Sequence, residues 1–224
     1  MTIRKTVLLF LLAAFTGVAS AQTAWPNKPV RVVVPFPPGG NTDVVARLLA
    51  PRLAEEFGQQ FVVDNRGGAG GNVGAEIVAR AAPDGLTLIV CASTYASSAA
   101  LYSLPYDPVG GIAPVGLITT GPLMLAANPS VKASNLKEFI ELLRAKPRGM
   151  TFGSSGTGSV PHLATELMLQ MTKTEAVHVP YKGDTPAIAD LMGGHIQFLM
   201  SSPLAIIQQI KVGRLRGLGV TTEQ

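Results

Sequence analysis

Two stretches of the chain carry residues that can hold an anion without a metal or a basic side chain. Pro37-Pro38-Gly39-Gly40-Asn41-Thr42-Asp43 and Gly153-Ser154-Ser155-Gly156-Thr157-Gly158-Ser159 are rich in Gly, Ser and Thr, and each separates an apolar run from a segment of helical period. In a parallel sheet such turns lie at the carboxyl edge, where backbone N–H groups and helix N-termini converge on one crevice. A carboxylate placed there accepts hydrogen bonds from several N–H and hydroxyl donors. Cys91-Ala92-Ser93-Thr94 and Ser201-Ser202 end other strands and would add hydroxyls to the same rim. For any single turn, plain helix capping by Gly and Ser explains the composition equally well.

Other chemistries fit these residues less well. Gly153 and Gly158 have the spacing of a phosphate loop, but Ser159 stands where its lysine belongs and Val160 follows. Gly68-Ala69-Gly70-Gly71-Asn72-Val73 approaches a dinucleotide fingerprint, but Val73 takes the place of the third glycine. No serine has the G-x-S-x-G flanks of a hydrolase nucleophile; Ser154 or Ser159 with His162 is the remaining hydrolytic arrangement, and Ser159 with His162 reads more simply as a cap beside a first-turn residue. His162, His178 and His195 fall on separate elements without the spacing of a metal site, so neither metal nor cofactor is expected. Asp43 and Arg47 form an i, i+4 pair, and Asp43 is also placed to shape the first turn. Asp184 precedes Thr185-Pro186 as an ordinary cap; near a cleft it would repel a second ligand carboxylate or attract an amine. Cys91, the single cysteine, reads as a buried small residue.

The elements that must position these turns alternate. Val30 to Val34, Phe61 to Asp64 and Thr87 to Val90 read as strands, with helices at Val44 to Phe57 and Asn72 to Ala82 between them. Val45, Leu48, Leu49, Leu53 and Phe57 are the expected inward face of the first helix. This βαβαβ order predicts a parallel sheet with helices on its faces. Residues 95–122 are less periodic, and a boundary is placed at Thr120 to Pro122. The alternation then restarts. Strands are expected at Leu123 to Ala127, Met150 to Gly153, Val177 to Val179, Ile196 to Met200 and Leu215 to Val220. Helices are expected around Leu136 to Leu143, capped by Ser134 or Asn135, and over Val160 to Met171, Pro186 to Met192 and Leu204 to Lys211. In the Val160 helix, Leu163, Leu167, Met168 and Met171 are the expected inward residues. Two such units leave a cleft as the natural ligand site.

Residues 1–21 read as a cleaved signal peptide: basic Arg4 and Lys5, an apolar run from Val7 to Phe15, and Ala19-Ser20-Ala21. Its removal takes two of 18 basic side chains and none of the 14 acidic ones, so the formal charge falls from +4 to +2. That balance, with basic residues scattered, is no footprint of nucleic acid binding. The remaining chain divides into a first domain at 22–121 and a second at 122–224. A single cysteine allows no disulfide within the chain, so stability must come from the core.

The ordered set of motifs resembles the Bug family, the substrate-binding receptors of tripartite tricarboxylate transporters. The resemblance rests on Trp25-Pro26-Asn27-Lys28-Pro29, Val34-Pro35-Phe36 with Gly39-Gly40, Asp43 and Arg47, Asn65-Arg66, Gly68-Ala69-Gly70-Gly71, and Pro83-Asp84-Gly85. Further on it rests on Pro105-Tyr106-Asp107-Pro108, Gly153-Ser154 with Gly156, Gly158 and His162, and Val179-Pro180-Tyr181-Lys182-Gly183 with Asp190-Leu191 and Gly193-Gly194. It implies an α/β, two-domain periplasmic-binding-protein fold of type II kind, each domain a mainly parallel sheet flanked by helices, closing on a small carboxylate. It places Phe36, Pro38, Gly39, Gly40, Thr42 and Asp43 on one wall of the cleft, and Ser154, Ser155, Gly156, Thr157, Ser159 and His162 on the other. Ser93, Thr94, Tyr181 and Asp184 are further candidates. The implied partners are a small organic acid and the membrane subunits of the transporter; the implied state is a periplasmic monomer without catalysis. Members of the family continue well beyond Gly219-Val220-Thr221-Thr222, so a C-terminal part that completes the first domain is expected to be missing. A secreted hydrolase and a ligand-presenting module for a signalling protein are the alternatives.

Overall fold

The computed structural model describes residues 25–222. The expected signal peptide at 1–21 lies outside the described residues. The first sheet is built on β-branched runs: β1 (Val30–Val34) lies between β2 (Phe61–Asn65) and β3 (Thr87–Ile89), all parallel. Val30, Val33 and Val34 are fully enclosed, as a central strand covered on both faces requires. Helix α1 (Asn41–Phe57) links β1 to β2, and α2 (Asn72–Ala79) links β2 to β3. A helix that the weak periodicity after residue 95 does not predict, α3 (Thr94–Leu101), follows β3. α1 stops at Gly58, which takes a left-handed conformation and donates its N–H to the Ala54 carbonyl.

The face of α1 that meets the sheet differs from the apolar stripe. Leu48 and Phe57 are 68% and 42% exposed, whereas Thr42, Asp43, Ala46 and Ala50 are buried. Of the expected face only Leu53 joins the cluster of Val30, Val32, Val34, Ala46, Ala50 and Phe61. Small side chains at Ala46 and Ala50 let the helix lie close to the strands, and that rotation turns Asp43 inward, where the turn before the helix needs it. Phe57 is instead capped edge-on by Trp25 at 5.4 Å.

The second sheet has the order β6-β5-β7-β4-β8, with β4 (Met124–Ala127), β5 (Thr151–Ser154), β6 (Val177–Pro180), β7 (Phe198–Ser201) and β8 (Arg216–Val220). β5 is parallel to β6 and β7, and β4 runs against β7 and β8. The sheet is thus mainly parallel with one reversed strand; hydrophobic patterning reports which face of a strand is buried and carries no information on its direction. Alternation along the strands separates two cores. Leu125, Ala127, Phe198 and Met200 pack with Phe139, Leu143 and Leu169 from α4 (Leu136–Ala145) and α5 (Val160–Thr172). On the opposite face Ala126 and Leu199 pack with Ile188, Leu191 and Ile206 from α6 (Asp184–Gly193) and α7 (Pro203–Lys211).

Asn135, one of the two expected caps, starts α4: its Oδ1 accepts the Glu138 N–H at 3.0 Å, and Glu138 reaches back to the Ser134 N–H at 2.7 Å. In α5 the inward residues are Pro161, Thr165 and Leu169, while Leu163, Leu167 and Met171 are 40%, 55% and 76% exposed. Of the expected set Met168 packs partly on the core. A buried Thr165 is tolerated because its hydroxyl donates to the Pro161 carbonyl at 2.8 Å, which hides the polarity that the stripe would exclude from a core. Among the described residues, no helix is long and apolar enough to cross a membrane.

Phe198 sits where the first of these cores is densest, 4.9 Å edge-on from Phe139 and 5.5 Å stacked on Phe152, with no exposed surface. Phe198→Ala is expected to lower unfolding free energy by about 3–5 kcal/mol, measured by urea denaturation.

Candidate functional site

The parallel strands β1, β2, β5 and β6 all end toward one cleft, so the turns that follow them form its walls. The first turn is organised by Asp43. Its Oδ2 accepts the Gly39 N–H at 2.9 Å, Arg47 Nε reaches both oxygens at 2.9 and 3.1 Å, and Asn65 Nδ2 donates to Oδ1 at 2.9 Å. Asn65 Nδ2 also donates to the Phe36 carbonyl at 3.0 Å, tying β2 to the turn after β1. Burial alone would raise the Asp43 carboxyl, but the bonds from Arg47, Gly39 and Asn65 outweigh it and hold the group below its ordinary range. Asp43 is therefore an internal brace of the turn.

The second wall is the 153–159 turn. Ser154 Oγ lies 2.7 Å from His178 Nε2 and donates to the Gly156 carbonyl at 3.1 Å. Gly158 donates its N–H to His162 Nδ1 at 3.1 Å, and Ser159 caps α5 by accepting the His162 N–H at 3.4 Å. Ser154 and Ser159 are 2% and 0% exposed, so neither hydroxyl opens on solvent. Gly156 takes φ 134° with the Gly70 Cα 3.6 Å from where a Cβ would stand, which brings the 3₁₀ turn Ala69–Gly71 against this wall.

The walls also touch directly. Thr185 Oγ1 donates to the Pro38 carbonyl at 3.0 Å, Ser202 Oγ to Asn41 Oδ1 at 3.0 Å, Tyr102 OH to the Thr157 carbonyl at 2.8 Å, and Ser97 Oγ to the Gly158 carbonyl at 2.9 Å. Between these contacts lies a cleft of about 240 Å3. Of the residues expected at the ligand, Phe36, Ser155, Gly156, Thr157 and Tyr181 line it. Pro38, Gly39 and Gly40 form the touching corner, with Thr42 and Asp43 buried behind it. Ser154, Ser159 and His162 support the second wall from behind. Thr94 lines a smaller adjoining hollow with Phe36, and its Oγ1 accepts the Val160 N–H at 3.4 Å; Ser93 is exposed and lines neither space. Cys91, expected to be buried, is exposed at that hollow's edge, because β3 ends at Ile89 and the chain has already left the sheet.

Gly68, Ala69, Gly70, Gly71, Tyr102, Pro180 and Lys182 complete the lining without having been singled out for it. The glycine run and the Pro-Tyr-Lys-Gly motif are the sequence signals that mark them; Tyr102, brought in by α3, has none. Lys182 is the only charged side chain among the described residues lining the cleft, and no described carboxylate pairs with it. Tyr181 presents its ring, since its hydroxyl is turned to Asp190 Oδ2 at 2.6 Å; burial, then that bond, pushes the phenol up to about 12. Asp184 stands at the start of α6, where burial pushes its carboxyl up to about 6 against the opposing pull of the Ser201 and Ser155 hydroxyls. Among the described residues no cluster of His, Cys, Asp and Glu could hold a metal ion.

Two helix-flanked sheets whose carboxyl edges face one cleft define a periplasmic solute-binding protein fold. The model of the tripartite tricarboxylate transporter family receptor (TctC) matches residues 45–224, and the chain belongs to this family. Protein BugT of Bordetella pertussis (strain Tohama I) is 36% identical over 222 residues, covering 97% of this chain and 68% of BugT. Among solved structures, R. palustris Rpa4515 with adipate has a TM-score of 0.87 at 39% identity, covering 89% of this chain and 68% of that one. MatC (Rpa3494) from Rhodopseudomonas palustris with bound malate has a TM-score of 0.83 at 32% identity, covering 89% and 69%. The chain thus spans about two thirds of the length of these proteins.

Two carboxylates of the site should leave opposite marks on stability. Asp43 titrates below its unfolded value, so its contribution is present at neutral pH and lost as the pH falls through the folded value. Asp43→Asn should cost about 1–3 kcal/mol at pH 7 and progressively less as the pH is lowered past 3.8 toward the folded value, by urea denaturation at each pH. Asp184 titrates above its unfolded value, so the cost of ionising it grows as the pH rises from 3.8 and is complete above about 6. Asp184→Asn should therefore melt higher than the parent at pH 8, with the advantage gone only below the unfolded value of 3.8.

Proposed function

We propose that the chain captures a small organic acid in the periplasm and presents it to the membrane subunits of a tripartite tricarboxylate transporter. The supporting observation is the charge of the cleft: its walls are Gly-, Ser- and Thr-rich turns, and among the described residues its one charged lining side chain is Lys182. Backbone dipoles at a helix N-terminus and one ammonium group attract a carboxylate without burying a permanent ion pair. The relatives solved with adipate and with malate support a dicarboxylate of four to six carbons as the ligand class. On this reading the chain divides near Thr120 to Pro122 into two domains that close on the ligand, and it acts as a monomer. Pro38, Gly39, Gly40, Thr42 and Asp43 shape the first wall, Ser154, Ser155, Gly156, Thr157, Ser159 and His162 the second, and Ser93, Thr94, Tyr181 and Asp184 its margins.

The buried serines favour capture over hydrolysis. Ser154, which meets a histidine, is 2% exposed, and that histidine is His178 rather than His162. A nucleophile must reach the scissile atom at about 3–3.5 Å; the Ser154 hydroxyl faces the sheet and the Gly156 carbonyl.

A thermal-shift screen against succinate, malate, glutarate, adipate and citrate tests the proposal. One acid should raise the midpoint, by about 2.7 kcal/mol of added stability at a hundredfold excess over its Kd. Lys182→Gln should then weaken that acid about two- to fivefold and flatten the salt dependence of its Kd. A cooperative transition that no acid moves would defeat the carboxylate reading.

A further inference from the structure

Resting on the reading of the 153–159 turn as a ligand wall, we infer that His162 and His178 are its positioning pair: two stacked, uncharged imidazoles hold the two ends of the turn, and ligand affinity depends on their remaining uncharged. The residues that line the cleft, Ser155, Gly156 and Thr157, hang between Ser154 and Gly158. Each of those ends is tied to one ring, Ser154 Oγ to His178 Nε2 at 2.7 Å and Gly158 N–H to His162 Nδ1 at 3.1 Å. The rings lie 3.9 Å apart at 21°, and Phe152 backs His178 at 4.9 Å. Phe152 and His178 are register partners on β5 and β6, so the sheet itself fixes the stack.

The proton positions follow from the hydrogen bonds. Gly158 donates to Nδ1, so neutral His162 carries its proton on Nε2, 3.7 Å from Glu166 Oε1. Ser154 Oγ accepts the Gly156 N–H at 3.2 Å and reaches both the Gly156 carbonyl and His178 Nε2, and its single proton serves one of them, so the tautomer of neutral His178 sets which partner donates. A proton added to His178 leaves its bond to Ser154 in place. A proton added to His162 converts Nδ1 into a donor facing the Gly158 N–H, and that tie is lost. Two protons set like charges within the stacking distance of a partly buried layer.

The groups facing the pair are few. Glu166, on the same helix as His162, draws that ring toward protonation; from β6 comes His178 itself, and from β5 come Phe152 and Ser154. Burial outweighs Glu166 and holds His162 below its ordinary value; burial, then His162, brings His178 down to about 4. Both rings are thus uncharged at neutral pH. The folded turn binds fewer protons than the unfolded chain, so stability falls as the pH drops below about 6.5, and affinity follows at lower pH, as the rings of the folded chain take up protons.

The test is calorimetric titration of adipate and of malate at pH 7.5 and 4.5 into the parent chain, His162→Asn and His162→Ala. Asn places an acceptor near the position of Nδ1 and cannot titrate there. His162→Ala should bind about tenfold more weakly at pH 7.5. His162→Asn should bind within about threefold of the parent at pH 7.5 and lose clearly less affinity on acidification; protonation of the ligand is common to both chains and drops out of the comparison. Parallel losses in the parent and His162→Asn, or unchanged affinity in His162→Ala, would overturn the inference. If the parent binds neither acid at pH 7.5, the carboxylate reading stands or falls on the wider thermal-shift screen and NMR of the ligand-free chain decides this one. The Gly158 amide must then shift with the His162 titration in the parent and not in His162→Asn; a Gly158 resonance indifferent to that titration would sink it.

Discussion

The cleft exists because the turn after β6 lies against the turn after β1. A Cβ on Gly183 would stand 2.5 Å from Pro37 Cδ, and Gly183 adopts φ 136°, so only glycine permits this approach. From that corner the remaining geometry follows. Thr185 reaches the Pro38 carbonyl and Ser202 reaches Asn41, while on the far side Tyr102 and Ser97 bond the carbonyls of Thr157 and Gly158. The cleft is pinned at two edges by hydroxyl-to-carbonyl and hydroxyl-to-amide bonds, each worth about 1 kcal/mol net. Such bonds hold a conformation without locking it. A ligand that contacts both walls can add to them, and its differential affinity sets how far the balance moves.

Much of the architecture was legible because it depends on short-range chemistry. β-branched runs mark the strands, and Asn135, one of the two expected caps, marks a helix start. The inward faces of α1 and α5 were not legible, because small or self-satisfied residues decide them: Ala46 and Ala50 bring one helix close to its sheet, and Thr165 hides its hydroxyl on its own backbone. The direction of β4 was equally silent, since burial alternates in the same way in either sense. At the site, the Gly- and Ser-rich turns announced a convergence of donors, and the structure brings Ser155, Gly156 and Thr157 to the cleft. The stacking of His162 on His178 depends on a helix start meeting a neighbouring strand, a long-range coincidence that no spacing along the chain reveals.

Charge is distributed so that the walls are nearly neutral where they meet the ligand space. Asp43 is satisfied by Arg47 and Asn65, and its charge is spent on the shape of the turn. Asp190 takes up the hydroxyl of the lining residue Tyr181 and lies 3.2 Å from His195 Nδ1, without lining the cleft itself. Among the described residues Lys182 is the charged side chain lining the cleft, and it is exposed. An exposed ammonium steers an anion inward and strengthens its hold only modestly, since water and salt screen it.

That restraint also explains why imidazoles rather than guanidinium or ammonium groups stand behind the second wall. A buried cation there would have to be paired or would carry a desolvation cost of several kcal/mol in the empty site. A neutral ring costs little to bury; His162 supplies a directed acceptor for Gly158, and His178 a directed hydrogen bond to Ser154. The turn is thereby held in shape without a buried cation behind it. On the proposed reading, affinity then comes from geometry and helix dipoles, which act only over the first turn and release the ligand once the walls part. A receptor that must both capture and give up its ligand needs that balance, and the stacked pair provides it without adding charge to the cleft.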